Sequence, residues 1–276
     1  MQRKPRSLFF VAVLIAAVSA GAGCDKLRAR DKLNKGVQAY RNAQFDVAIE
    51  NFKEAKQLDP TLTNAQLYLA TAYASQYVPG APSQENIHNG EQALAEFKTI
   101  LDSDPRNVSA LDGIGSMLYN IGSTPYDAKK LEESKSYHQK HIDISPNDPE
   151  PYYWVGVIDW ALAFRGNKDV REEYSKNPKN IKKQIKENDA LPPALAKDFA
   201  EKFGPTIDDG ISHLQQAITL RPDYDDAMAY LNLLYRQKAD TETTTEARDA
   251  DIKQADDLVD KVKATKQKKA NMQPSN

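Results

Sequence analysis

The sequence predicts an all-α protein, a right-handed solenoid of stacked helical hairpins closed by a C-terminal capping helix. Three observations predict it. The segments AIENFKEAKQLDP (48–60), ALAEFKTILDSDP (93–105), SKSYHQKHIDISP (134–146) and GISHLQQAITLRP (210–222) carry apolar residues three or four apart and end in proline. Counted back from Pro60, Pro105, Pro146 and Pro222, the same kinds of residue return at fixed offsets. The step from each proline to a residue ten places on, in the following helix, lands on Ala70, Gly115, Gly156 and Asn232. A rhythm near 3.6 means a helix with one buried face, and equal offsets mean equal packing.

Twelve residues before the prolines stand Ala48, Ala93, Ser134 and Gly210, all small. Eight before stand Phe52, Phe97, His138 and Leu214, and five before stand Ala55, Ile100, His141 and Ala217. Antiparallel helices approach closely only where side chains are small, and the two inner columns, three apart, share the face beside that crossing. Proline then ends the helix, because it lacks an N–H and its ring rejects a helix interior.

The elements follow in order as five hairpins, at about 29–62, 63–107, 108–148, 149–224 and 225–264. From the small first-helix residue to the proline the spacing is 24 for Gly36 to Pro60, then 35, 31 and 66 in the next three. All the excess enters the turn inside a hairpin, giving insertions at about 77–88, 120–130 and 165–205, which a solenoid displays along one edge. The first, SQYVPGAPSQENIHNG (75–90), reads as an ordered loop. The largest opens with eight basic and four acidic residues, Lys182 and Lys183 among them, and reads as solvated charge. It continues as a short helix led by Pro193. After Pro222 come a fifth first helix (224–239), a charged capping helix (246–264) and a polar tail, 265–276, expected to be disordered.

The small–aromatic–small–proline spacing of Gly36, Ala48, Phe52, Ala55 and Pro60 resembles the tetratricopeptide repeat, and the resemblance extends over most of residues 28–238. It implies a concave groove lined by first helices, for a protein partner. Four residues past the small residue stand Tyr40, Ala74, Tyr119, Trp160 and Arg236; three before it stand Leu33, Leu67, Asp112, Tyr153 and Ala229. Members that clamp a terminal carboxylate carry lysine and asparagine three before and one after the small residue, and this sequence does not. Tyr40, Tyr119, Tyr153 and Trp160 are therefore the expected partner-binding residues, acting by aromatic contact. Any of them could instead pack between neighbouring hairpins.

No catalytic constellation stands out. His138 and His141 are three apart, a possible metal-ligand spacing, but they fill columns that hold Phe52 and Ala55 elsewhere, so packing is expected. No phosphate loop, nucleophile elbow or HExxH is present. The expectation is a non-enzymatic scaffold with neither cofactor nor metal; the alternative is a receptor for a small molecule or glycan that uses the groove and the 165–205 insertion.

The N-terminus has its own reading. Arg3, Lys4 and Arg6 precede an apolar run from Leu8 to Val18 and then SAGAG and Cys24, the only cysteine. The run suits a secretory signal. GAGC resembles a bacterial lipobox, which implies removal of 1–23, a lipid on Cys24, a short linker (24–27) and a chain tethered in the cell envelope facing the periplasm. Asp25 resembles an inner-membrane retention signal, and the choice of membrane stays open. Cleavage after Ala20, giving a soluble periplasmic protein, is the alternative. Removing 1–23 takes away three positive charges and no negative ones, so the formal charge of −2 becomes −5. That is no footprint of a nucleic-acid binder.

Overall fold

The structure, a computed structural model, describes residues 7–180, 185–186 and 189–272. Arg3, Lys4, Arg6, Lys182, Lys183 and residues 273–276 lie outside the described residues. Among the described residues there are ten α-helices and no strand: α1 (Ser7–Arg41), α2 (Phe45–Leu58), α3 (Thr63–Gln76), α4 (Gln84–Ser103), α5 (Val108–Ser123), α6 (Ala128–Ile144), α7 (Pro149–Lys176), α8 (Pro193–Leu220), α9 (Asp225–Ala239) and α10 (Thr245–Met272). They fall into two compact units, one up to Met117 and one from Leu118. None of these helices is long and apolar enough to cross a membrane.

Proline acts the same way four times. α2, α4, α6 and α8 each stop two residues short of it, and the residue between (Asp59, Asp104, Ser145, Arg221) has φ near −141°, −138°, −134° and −133°. A pre-proline residue is pushed out of the helical region by the pyrrolidine ring, so the stop is steric. In each case that residue's N–H still bonds the carbonyl of the column five before the proline: Ala55, Ile100, His141 and Ala217. Its own carbonyl accepts from the N–H three residues on, at Leu62, Asn107, Asp148 and Tyr224, over 3.0–3.1 Å. One turn, built four times, sets the constant step.

In the first unit the columns are core. Ala48, Phe52, Ala55, Ala70, Ala93, Phe97 and Ile100 are almost or wholly shielded from solvent. A Cβ on Gly36 would strike the Phe52 ring, and one on Gly113 the Phe97 ring. The expected loop at 77–88 is shorter than read, since α4 begins at Gln84. Buried Asn86 organises the rest. Its Oδ1 accepts from Val78 N–H at 2.6 Å, and its Nδ2 donates to the Val78 and Ala81 carbonyls, both at 2.9 Å.

In the second unit α7 and α8 run 28 residues each and pair along their length. Small residues mark that pairing: Gly156 lies against Leu214, Gly210 against Asp159 and Leu234, and Gly166 against Phe203. The 165–205 insertion is therefore mostly two helix extensions rather than surface decoration. The separate short helix expected from Pro193 is corrected likewise: α8 is continuous and carries Pro205 inside it. Pro205 is exposed, as is Glu201, so the carbonyl that loses its helical donor can turn to water. Gly204, with no Cβ to meet the proline ring, removes the usual pre-proline clash. The 265–276 tail also departs from expectation, because α10 runs on to Met272. Lys269 Nζ reaches Asp225 Oδ1 at 2.6 Å and Lys266 Nζ lies 3.9 Å from Asp225 Oδ2, which ties that end to the start of α9.

Candidate functional site

The second unit carries a file of rings. Tyr119 on α5 meets Trp154 edge-on at 5.5 Å between centroids. Trp154 meets Tyr153 at 5.5 Å, Tyr153 meets Tyr230 at 5.7 Å, and Tyr230 meets Trp160 at 5.3 Å. Trp160 then stacks on Phe164 at 5.3 Å and 23°. Trp160 and Phe164 are one helical turn apart on α7, so the helix itself lays one ring on the other. Alternating edge-on and offset contacts are the arrangements that aromatic quadrupoles favour.

Three of the four expected groove residues, Tyr119, Tyr153 and Trp160, belong to this file. Each is half-buried, so each both packs and faces water. Burial raises the Tyr119, Tyr153 and Tyr230 hydroxyls above the ordinary phenol value, Tyr153 the furthest, so they stay protonated donors at neutral pH. Tyr40 stands in the first unit, where its hydroxyl is 2.8 Å from Ser75 Oγ and its ring meets Phe45 edge-on at 5.4 Å. His138 is fully buried and stacks on Trp154 at 5.7 Å and 10°, in the column that holds Phe52 in the first hairpin. His141 is also buried and lies 3.6 Å from Asp148. Cys24 is exposed on α1.

Sequence reasoning passed over Trp154, Tyr230 and Phe164. Phe164 was within reach, since the column of fours that gave Gly156 and Trp160 continues to it. It also passed over two polar clusters. Asp159 is fully buried inside the apolar run VGVIDWALAF, where a carboxylate is itself a signal. Lys135 Nζ lies 2.6 Å from Asp159 Oδ1 and 2.8 Å from Asp209 Oδ2. Burial drives the Asp159 carboxyl up to about 8, against the pull of Lys135. Burial opposes charge on Lys135 too, yet the two carboxylates hold its pKa above the usual value.

The second cluster holds the end of the insertion. Arg171, buried on α7, donates from Nε to Asn167 Oδ1 at 2.6 Å and from Nη2 to Asp240 Oδ2 at 2.7 Å. Its Nη1 reaches the carbonyls of Lys186 at 2.7 Å and Asp189 at 3.0 Å. Asp240 stands at the C-cap of α9 and also accepts from Asn167 Nδ2 at 2.9 Å. One guanidinium thus fastens the connection between α7 and α8 to the last hairpin.

Beside this cluster, α7, α9 and α10 enclose an open hollow of about 550 Å³ that contains Trp160 and Phe164. The arrangement is a rigid aromatic surface beside paired charges.

The geometry defines a class first: an all-α protein built from repeated helical hairpins. No known protein family profile matches the chain, and no curated protein does. Among solved structures it is similar to a MamA protein, at TM-score 0.55 and 16% identity over 90% of this chain and 97% of that one. A MamA fragment from Desulfovibrio magneticus RS-1 gives 0.54 and 17% over 90% and 98%. A double mutant of MamA from RS-1 gives 0.54 and 16% over 88% and 96%. The chain has the tetratricopeptide-repeat fold.

Proposed function

We propose that this protein is a non-enzymatic scaffold, tethered in a bacterial cell envelope through a lipid on Cys24, that captures a protein segment on the aromatic file of its second unit. The observation that carries the reading is the run Tyr119–Trp154–Tyr153–Tyr230–Trp160–Phe164, which crosses α5, α7 and α9 with every member at least partly open to solvent. Half-buried rings suit such a role. They are held in place by their neighbours, so a partner covers much apolar surface while few torsions remain to be frozen.

The test is capture from envelope extracts by in-cell crosslinking, with mass spectrometry of the adducts. Tyr119→Ala together with Trp160→Ala should weaken capture of the identified partner by about 2 kcal/mol or more while helical content holds. Undiminished capture by a folded double variant would refute the groove. Tethering is tested apart from it: Cys24→Ser should accumulate an unprocessed precursor, whereas normal processing to a soluble form would mean cleavage after Ala20.

A further inference from the structure

We propose that the hollow between α7, α9 and α10 is a binding site for a neutral, hydroxyl-rich ring, a saccharide unit, and that it shares Trp160 and Phe164 with one end of the aromatic file. Four features of its wall carry this.

The first is a platform. Phe164 is 39% exposed, a high value for so large an apolar side chain, and it is fixed by stacking on Trp160. Leu233 and Ile252 extend the apolar part of the lining. A saccharide ring has a face of C–H bonds that can cover such a surface and release its water.

The second is charge. The hollow is ringed by ionic groups: Arg236, Asp240 and Arg248 each answer a counter-charge, and the exposed Asp249 carboxylate faces the hollow beside them. Arg236 Nη2 is 2.6 Å from Asp256 Oδ1. Asp240 is 2.7 Å from Arg171 and 3.7 Å from Arg248. An anionic ligand would meet the Asp249 carboxylate or have to compete with one of these pairs, and a buried charge deprived of its partner is costly. A neutral ligand leaves all of them in place.

The third is an unmet acceptor. Gln237 lines the hollow, and its Oε1 is shielded from solvent with no hydrogen-bond partner in the structure. A buried acceptor left unpaired costs about 1–3 kcal/mol, and a turn of the half-buried Gln237 amide into the hollow would let a ligand's donor recover that loss. A hydroxyl is such a donor.

The fourth is convergence. The Gln237 amide and the Asp249 carboxylate line one compact space rather than following a track, while the Asn167 and Arg236 groups beside them are held by Arg171, Asp240, Asn232 and Asp256. That suits a ligand with hydroxyls on all sides better than an extended chain with one N–H per residue. A volume of about 550 Å³ falls within the range of small-molecule sites, about 300–1,000 Å³.

The test is isothermal titration calorimetry of the full chain with two neutral probes, the β-1,4-linked tetramers of glucose and of N-acetylglucosamine, and an acidic comparator, oligogalacturonate. At least one neutral probe should bind with a Kd of about 1 mM or tighter, and the acidic comparator more weakly. Phe164→Ala and Gln237→Leu should each weaken binding about tenfold, and Phe164→Trp should keep it. Phe164 and Gln237 are not fully buried, and far-UV circular dichroism checks that both variants fold. Failure of both neutral probes at about 10 mM, tighter binding of the acidic comparator, or full affinity in folded Phe164→Ala would each overturn the proposal.

Discussion

Gly156→Ala should destabilise the second unit even though alanine is the better helix former. Gly156 is buried in the interior of α7, where exchange for alanine alone would stabilise the helix by about 1 kcal/mol. Against that, a Cβ there would lie 2.8 Å from Leu214 Cδ2 and 2.9 Å from Cδ1, and closer still to Cγ. Leu214 is fully buried, and Cγ is its branch point, so rotating the methyls away does not clear the overlap. Overpacking costs about 1–3 kcal/mol, here in the upper half of that range because the branch point itself is struck, so the expected net loss is about 1–2 kcal/mol. Urea unfolding followed by tryptophan fluorescence reads it directly, because the chain's two tryptophans, Trp154 and Trp160, flank Gly156 on the same helix. A double-mutant cycle isolates the cause. Leu214→Ala alone should cost about 2–5 kcal/mol, and it should cost less in the Gly156→Ala background, where the deleted atoms were the clashing ones. A Gly156→Ala protein as stable as the wild type or more so, or a cycle with no coupling, would refute the close crossing.

Further outcomes follow from the buried charges and the turn. Because burial raises Asp159 from an unfolded value near 3.8 to about 8, its contribution to stability is fully present below pH 3.8 and is lost as pH rises towards 8. Asp159→Asn should therefore flatten the stability-versus-pH curve between those limits, and an unchanged slope in urea titrations across pH 4–8 would count against it. Arg171→Met should cost about 3 kcal/mol, since it takes the nearer cation from buried Asp240, leaving it Asn167 and the more distant Arg248, and frees the Lys186 and Asp189 carbonyls together; a loss below about 1 kcal/mol would deny the clasp. Ala48→Leu, at a fully buried site, should cost about 1–3 kcal/mol, and unaltered thermal stability would remove Ala48 from the crossing.

What the sequence by itself determined was local and periodic. The proline stops, the small residues at crossings and the bulky columns beside them are short-range rules of backbone sterics and face packing. Each was legible because α2, α4, α6 and α8 obey them in the same way. The first helices were legible too, as was the placement of Tyr119, Tyr153 and Trp160 on them. Tertiary structure decided whatever depended on a second element. Pro205 reads as a helix stop in sequence, yet α8 passes through it because Gly204 offers no Cβ and packing against α7 outweighs one lost hydrogen bond. The lysines after residue 264 read as a loose tail, yet Asp225, more than forty residues away, holds Lys269 in a helix. The half-buried state of the groove rings, and the entry of Trp154, Tyr230 and Phe164 into their file, follow from how α5, α7 and α9 lie beside one another. Spacing along a single helix carries no record of that distance. The Arg171–Asp240 pair likewise joins residues sixty-nine apart, and neither residue's neighbours in sequence announce the other. Periodicity is written in the chain because each helix meets its own neighbours at fixed intervals. The site is decided in space because its groups meet only after the helices have packed.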